Sequence, residues 1–307
     1  MTNAPTTVAT PCDLVCSLAA SPLFERDGIC FAAQSAGLDR SRDGGRSWHT
    51  CSLLAGLDRP LATTTVALSP AFPSDQTTFA GAHGGVLCSE DGGDSWRIAA
   101  FPGPPPLVTA LALSPDFAAD GVLFAATLED GVFRSEDRGR SWHAWNFGLL
   151  DQSALCLAVS PHFAQDQTVL AGTGTGLFRS SNGGRSWREL ALPCGGAAVL
   201  CAAIAGDGTL LAGTEGRGAW RSADSGRSWQ SLGLDGGAVP ALLAAPDFPH
   251  TPDLLALLDD TPVVSRDGGA SWSALGRAGV TALAAPLGLG AGAPLLAGLS
   301  GGGVTRL

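Results

Sequence analysis

Short apolar runs separated by turn residues repeat along the whole chain, with a period of about 45 residues. Within 107–147 the runs are LVTALALSP, GVLFAAT, GVFRS and SWHAWNF, and Gly, Asp, Glu and Arg lie between them. Runs of this length between turn residues are typical of β-strands, and no helical periodicity appears anywhere in the chain. Four short strands per period is the pattern of a β-propeller blade.

An eight-residue motif marks each period. Its six copies are SRDGGRSW (41–48), SEDGGDSW (89–96), SEDRGRSW (135–142), SSNGGRSW (180–187), SADSGRSW (222–229) and SRDGGASW (265–272). The third position is Asp or Asn, and both accept backbone N–H bonds within a tight turn, which indicates a structural role. Each terminal Trp is predicted to bury its ring against the blade. The structural residues are Asp43, Asp91, Asp137, Asn182, Asp224, Asp267, Trp48, Trp96, Trp142, Trp187, Trp229 and Trp272.

Three further strand patterns follow the sixth copy, namely GVTALAAP (279–286), APLLAGLS (293–300) and GGGVTRL (301–307). The segment APTTVATP (4–11) is predicted to supply the fourth strand of this last blade, which would leave no open sheet edge. We therefore predict one all-β domain over residues 1–307, a seven-bladed β-propeller with four-stranded blades. Its ring is closed by the N-terminal strand (about 4–11), which completes the C-terminal blade (about 279–307).

The pattern S-x-D-x-G-x-[ST]-W resembles the Asp-box, or BNR, repeat family, and the resemblance covers essentially the whole chain. It implies a propeller of the kind found in sialidases, xyloglucan-type glycoside hydrolases, sortilin-like receptors and photosystem assembly factors. In that family the box is a structural turn on the face opposite the active site. The chain lacks the sialidase features, because it contains no Tyr to act as nucleophile and no Arg-Ile-Pro motif before the first box.

A second motif recurs between the first two strands of a blade. Its copies are SPLFERDG (21–28), SPAFPSDQ (69–76), SPDFAADG (114–121), SPHFAQDQ (160–167) and APDFPHTP (245–252). We predict a tight turn with its Phe packed beneath the blade. Blade five has only AGDG (205–208), which indicates a short hairpin.

Charge limits the classes of partner. The chain has 28 acidic and 18 basic residues, so its net charge is −10. We expect neither nucleic acid nor an anionic membrane as partner, since both require clustered positive charge. No apolar run reaches the roughly 20 residues that span a bilayer. The N-terminal residues lack a signal-peptide pattern, from which we expect a cytoplasmic protein.

The eight Cys lack CxxC pairs and zinc-type spacing, so we predict reduced, buried thiols with no metal and no cofactor. A Cys12–Cys30 disulfide and a paired or metal-bound Cys156 and Cys201 remain alternatives.

The loops that join strands two and three, and those that join successive blades, should share the face opposite the boxes. Their ionisable residues are Asp58, Arg59, His83, Glu129, Asp130, Asp151, Glu215, Arg217, Asp235, Asp259, Asp260 and Arg277. We predict that Arg59, Arg217 and Arg277 contact a protein partner, because Arg is favoured at interfaces.

Two functions are compatible with this pattern. The favoured interpretation is a non-enzymatic scaffold that docks a protein partner or forms a subunit of a larger assembly, because the loops are short and six of the eight Trp belong to boxes. The alternative is a glycoside hydrolase acting on a polysaccharide. Such an enzyme would pair Glu129 or Asp130 with Asp259 or Asp260, which lie on nearly opposite blades.

Overall fold

Seven antiparallel sheets make up the structure, a computed structural model that describes residues 13–51, 61–99, 101–103, 106–276 and 278–307. Each sheet is a meander of consecutive strands, and six sheets contain at least four strands. The innermost strands of successive blades contact each other around the ring, and blade seven contacts blade one. The predicted seven-bladed β-propeller is thereby confirmed.

The strands of the first four blades follow in chain order from the ring centre outward. Blade one contains β1 (Val15–Ala20), β2 (Cys30–Gln34), β3 (Gly37–Ser41) and β4 (His49–Thr50). Blade two contains β5 (Thr63–Leu68), β6 (Thr78–Ala82), β7 (Gly85–Ser89) and β8 (Arg97–Ala99). Blade three contains β9 (Val108–Leu113), β10 (Leu123–Thr127), β11 (Gly131–Ser135) and β12 (His143–Ala144). Blade four contains β13 (Ala154–Val159), β14 (Val169–Thr173), β15 (Leu177–Ser180) and β16 (Arg188–Leu190).

The last three blades depart from this scheme in small ways. Blade five contains β17 (Val199–Ile204), β18 (Leu210–Arg217), β19 (Ala219–Ser222) and β20 (Gln230–Ser231), and the extra strand β21 (Asp235–Ala238) pairs with β18. Blade six contains β22 (Ala241–Ala244), β23 (Leu254–Leu258), β24 (Thr261–Ser265) and β25 (Ser273–Ala274). Blade seven has three described strands, β26 (Val280–Ala284), β27 (Leu296–Leu299) and β28 (Val304–Arg306). Its predicted N-terminal fourth strand (4–11) lies outside the described residues and stays a prediction.

The turns predicted between strands one and two are single-turn helices in the first four blades. They are α1 (Phe24–Asp27), α2 (Phe72–Asp75), α3 (Phe117–Asp120) and α4 (Phe163–Asp166). The Phe that begins each helix is buried in the core, as is Phe248 at the corresponding turn of blade six. The Asp that ends each helix accepts a hydrogen bond from the Ser before it, as Asp120 does from Ser114 at 2.6 Å. Blade five has only a short turn at this point.

Hydroxyl and thiol groups link the innermost strands of neighbouring blades. Thr109 Oγ1 donates to the Ala154 carbonyl at 2.6 Å, and Cys201 Sγ lies 3.2 Å from the Val239 carbonyl. Cys156 Sγ lies 3.6 Å from the Val199 carbonyl, and burial raises the pKa of its thiol to about 12. All seven described cysteines are free thiols, whereas Cys12 lies outside the described residues. The buried thiols therefore act as small protonated donors between blades.

An arginine from one blade reaches the box of the next blade at six places around the ring. The acceptor is always the main-chain carbonyl of the fourth box residue. In blade three, Arg134 Nη1 donates to the Gly183 carbonyl at 2.8 Å, and Arg306 Nε closes the ring on the Gly44 carbonyl at 2.8 Å. The six pairs are Arg40–Gly92, Arg97–Arg138, Arg134–Gly183, Arg179–Ser225, Arg221–Gly268 and Arg306–Gly44.

Most of these arginines occupy the position directly before the box. In blade two that position is Cys88, and Arg97, which lies opposite Cys88 on β8, supplies the guanidinium instead. In blade six the position is Val264, and blade seven, which follows, has no copy of the box motif. Arginine is thus used at each boundary where the next blade offers a box carbonyl.

Replacement of Arg134 by Met should lower the free energy of unfolding by about 1.5–3 kcal/mol, the range for a hydrogen bond to a charged group. Arg134 is 6% exposed, and its loss leaves the Gly183 carbonyl without this donor. Arg227→Met is the matched control, because Arg227 is exposed and its guanidinium has no described partner, and its effect should stay within about 0.5 kcal/mol. Urea unfolding followed by tryptophan fluorescence measures both. Equal effects of the two substitutions would show that the inter-blade bond contributes nothing.

Candidate functional site

The six boxes form the same hydrogen-bonded turn. Asp43 Oδ1 accepts the N–H groups of Arg46 and Ser47 at 2.9 Å, and its Oδ2 accepts the Ser47 hydroxyl at 2.6 Å. The Ser41 hydroxyl donates to Asp43 Oδ1 and accepts the N–H of Gly45, both at 2.8 Å. Asp91, Asp137, Asp224 and Asp267 repeat this pattern.

Asn182 shows that the turn does not require a charge. Its Oδ1 accepts the Ser186 N–H at 2.9 Å, and its amide nitrogen donates to the Ser186 hydroxyl at 2.8 Å. The carboxylate of the other boxes thus serves as an acceptor within the turn.

Four of the six box tryptophans donate hydrogen bonds to backbone carbonyls within the fold. The indole nitrogens of Trp48 and Trp96 donate to carbonyls in their own boxes. Trp187 and Trp272 instead donate at 2.7 Å to carbonyls in the preceding blade. Trp142 is buried, and Trp229 packs against the core between blades four and five. The box residues therefore hold the turns and join neighbouring blades.

The boxes and the helical turns lie on one face of the ring, where the N–H of Gly44 donates to the carbonyl of Gly28 at 2.9 Å. We call this side the box face. The opposite side, formed by the hairpins between strands two and three and by the connections between blades, is called the loop face. All six ion pairs among the described residues join side chains of the box face. The charged residues of the loop face that the structure describes therefore form no ion pairs.

The predicted carboxylates of the loop face divide into two groups. Asp151, Asp259 and Asp260 hold loops together, since they accept the N–H groups of Ser153, Ala238 and Gly279, each at 2.9 Å. Four others have no hydrogen-bond or ion-pair partner for their carboxylates among the described residues. They are Glu129, Asp130, Glu215 and Asp235. The second group is free to contact a ligand.

The glycosidase pair predicted from the sequence lies on hairpins of blades three and six, which are nearly opposite in the ring. Each hairpin base lies about 7 Å outside the innermost strand, given a strand spacing of about 4.8 Å. The two hairpin bases are therefore at least about 14 Å apart, whereas glycosidase carboxylates lie about 5–9.5 Å apart. Asp259 and Asp260 also each accept one backbone N–H of a loop, from Ala238 and Gly279 respectively.

Of the three predicted docking arginines, the structure describes Arg217. It is exposed at the end of β18, opposite Asp235 of the extra strand β21, and its carbonyl accepts the Trp220 indole N–H at 2.8 Å. Its guanidinium has no partner among the described residues. Arg59 and Arg277 lie outside the described residues, so their roles stay predictions.

Two apolar side chains that were not predicted from the sequence to contact a protein partner are exposed on the connection between blades three and four. Phe147 is 80% exposed and Leu150 is 81% exposed, while Leu149 between them in sequence is buried. Leu128, on the neighbouring hairpin of blade three, is also exposed. The signal in the sequence was NFGLLD (146–151), an apolar stretch in a connection.

These features define the class of the protein, a seven-bladed β-propeller with box turns on one face and short connecting loops on the other. No protein-family profile matches the chain, and no curated protein sequence is significantly similar. Solved structures share its fold.

A GH74 xyloglucanase from Xanthomonas campestris superposes with a TM-score of 0.74 at 20% identity, over 96% of this chain and 52% of its own. The chain thus spans about half the length of that enzyme. YCF48 from Cyanidioschyzon merolae has a TM-score of 0.67 at 15% identity, over 99% of this chain and 97% of its own. A structure of YCF48 bound to D1 peptide has a TM-score of 0.68 at 17% identity, over 96% and 93% of the two chains. Identities this low establish the fold alone.

The described residues contain no group of three or more His, Cys, Asp or Glu side chains arranged to hold a metal ion. None of the described helices has the length and apolar character to cross a bilayer.

The box turns should make stability depend on pH in the acid range. Hydrogen bonds from the hydroxyl and N–H of Ser271 lower the pKa of Asp267 to about 2. At Asp91 and Asp137 burial opposes similar bonds, but the bonds prevail and the pKa is about 2. An unfolded Asp has a pKa of about 3.9. The stabilisation of the folded state by these ionised carboxylates is therefore complete above about pH 4 and is lost as the pH falls through about 2.

The variant Asp91→Asn/Asp137→Asn/Asp267→Asn copies the natural box of blade four, in which Asn182 stands at this position. It should melt close to the wild type at pH 7 and lose less stability between about pH 4 and pH 2. Circular dichroism melts across this range measure the difference. A variant that loses stability as steeply as the wild type would show that these carboxylates do not carry the acid sensitivity.

Proposed function

We propose that this protein is a non-enzymatic propeller that docks a protein partner on its loop face. The observation that carries the proposal is the exposure of Phe147 and Leu150, at 80% and 81%, on one connection of that face. Exposed aromatic and aliphatic side chains close together are typical of binding surfaces, and aromatic residues dominate the binding energy of many interfaces.

The connection that carries these side chains is held in place at several points. The carbonyl of Phe147 accepts the N–H of Trp187 at 2.8 Å, and the N–H of Leu149 donates to the Asn146 carbonyl at 2.9 Å. Beyond Leu150, Asp151 Oδ2 accepts the Thr175 hydroxyl at 3.0 Å. A surface that is already ordered loses less entropy on binding, which favours association with a partner.

The solved propellers are compatible with this proposal. YCF48, a chain of similar extent, has been solved with a D1 peptide bound, so a propeller of this size can bind a peptide. Arg217, with its unpaired guanidinium, is proposed as a further docking contact on blade five, together with Arg59 and Arg277. If the partner stays bound permanently, this chain would be a subunit of a larger assembly.

The second candidate function is glycoside hydrolysis, favoured by the shared fold of the GH74 xyloglucanase and by the unpaired carboxylates of Glu129 and Asp130. Two of the aromatic residues that could bind sugar rings, Trp145 and Phe101, are held within the fold, whereas Phe147 is exposed. Trp145 lies between the guanidinium groups of Arg134 and Arg185, at 4.4 and 5.3 Å from its ring, and Phe101 is buried against Trp142.

We expect no turnover of xyloglucan or of other plant and bacterial polysaccharides by the purified protein, assayed by reducing-end release. The physical reason is the wide separation of the two carboxylate hairpins and the use of Asp259 and Asp260 by loop amides. Turnover that disappears in both Glu129→Gln and Asp259→Asn variants would replace the docking proposal by the hydrolase.

The docking proposal predicts that Phe147→Ser/Leu150→Ser loses a partner that the wild type retains during gentle affinity purification from the source cells. The loss should follow from removal of two exposed apolar contacts, each worth at least about 1 kcal/mol if it belongs to the centre of an interface. Leu23→Ser/Leu287→Ser is the matched control, because both leucines are exposed on the box face.

Quantitative mass spectrometry compares the proteins that co-purify with the wild type, with Phe147→Ser/Leu150→Ser and with Leu23→Ser/Leu287→Ser. Equal melting temperatures show that all three proteins are folded. Retention of every stoichiometric partner by the Phe147→Ser/Leu150→Ser variant would exclude this surface as the docking site.

A further inference from the structure

One part of the loop face combines exposed apolar side chains with free carboxylates. We name it the blade-three rim, and its residues are Leu128, Glu129, Asp130, Phe147, Leu150 and Asp151. We propose that the blade-three rim binds a basic segment of the partner protein, in which Arg or Lys side chains lie next to apolar ones. This inference rests on the proposed docking function and adds the chemistry of the partner.

Hydrogen bonds join the two loops that form the blade-three rim. The side-chain amide of Asn146 donates to the Asp130 carbonyl at 2.8 Å, and its Oδ1 accepts the Val132 N–H at 2.8 Å. The N–H of Gly131 donates to the Gln152 carbonyl at 2.9 Å. These bonds tie the hairpin that carries Leu128 and its acidic neighbours to both ends of the connection that carries Phe147 and Leu150.

The charge of the blade-three rim is negative and is not compensated within the fold. The carboxylates of Glu129 and Asp130 have no partner, and Asp151 accepts hydrogen bonds only from neutral groups. Among the ionisable residues predicted for the loop face, those that the structure describes are seven acidic residues, one arginine (Arg217) and His83. On the box face, by contrast, Asp94, Glu136 and Asp253 are paired with arginines.

Burial of Phe147 and Leu150 by a partner would bring that partner close to Glu129 and Asp130. Removing unpaired carboxylates from water is unfavourable unless the partner supplies opposite charge. A neutral or acidic segment would therefore bind poorly, whereas a basic segment would pair with the carboxylates and also associate faster through long-range attraction. The apolar pair contributes affinity and the carboxylates select the charge of the partner.

Two synthetic fluorescein-labelled peptides of twelve residues test the charge selection, one of alternating Leu and Arg and the other of alternating Leu and Glu. Fluorescence anisotropy measures binding of each to the wild-type protein and to Glu129→Gln/Asp130→Asn. The control variant Glu25→Gln/Asp116→Asn removes the same charge from exposed, unpartnered carboxylates on the box face. A further measurement compares how the wild type and each variant bind the cellular partner that the wild type retains during affinity purification.

We expect the Leu-Arg peptide to bind the wild type and the control equally and the Leu-Glu peptide to bind neither. The Glu129→Gln/Asp130→Asn variant should bind the Leu-Arg peptide about three- to tenfold more weakly, and salt should reduce the difference. Failure of the Leu-Arg peptide to bind, or equal binding by the two charge variants, would overturn the inference.

The cellular partner separates this inference from the docking function. A partner that is lost with Phe147→Ser/Leu150→Ser but binds Glu129→Gln/Asp130→Asn as it binds the wild type contradicts the charge selection alone. A partner retained by the apolar variant contradicts the docking function itself.

Discussion

The ring depends on hydrogen bonds that cross from each blade to the next. A blade can bury its apolar faces only against its two neighbours, and apolar packing has no direction, so polar contacts are needed to set how neighbouring blades are aligned. On the box face this contact comes from an arginine that donates to the carbonyl of the fourth residue in the next blade's box, as Arg134 does to Gly183. Thiol and hydroxyl donors such as Cys201 supply it at the centre of the ring.

The polar side chains of the two faces differ in how they are bonded. On the box face, carboxylates and arginines bind backbone groups or each other, so that few of them remain for a ligand. The loop face carries short loops whose acidic side chains are in part unpaired, together with the exposed Phe147 and Leu150. A rigid ring with unpaired side chains on one face is well suited to docking, since its loops lose little entropy when a partner binds.

A catalytic function would place different demands on the same face. Acid–base chemistry requires two groups held close to one substrate atom, whereas the hairpins that carry Glu129 and Asp259 lie on nearly opposite blades. Docking requires only that apolar and charged groups share one surface, and the bond between Asn146 and Asp130 brings such groups together on blade three.

The sequence alone determined the strands, the blade number and the role of the boxes, because each box turn closes within its own eight residues, as Asp43 and Ser47 illustrate. It also placed Glu129 and Arg217 on the loop face, since strand order dictates which loops share a side. The pairing of Arg134 with Gly183 and the exposure of Phe147 beside a buried Leu149 were decided only by the tertiary structure. Both depend on the neighbouring blade, and contacts between blades join residues about 45 positions apart that no local pattern relates.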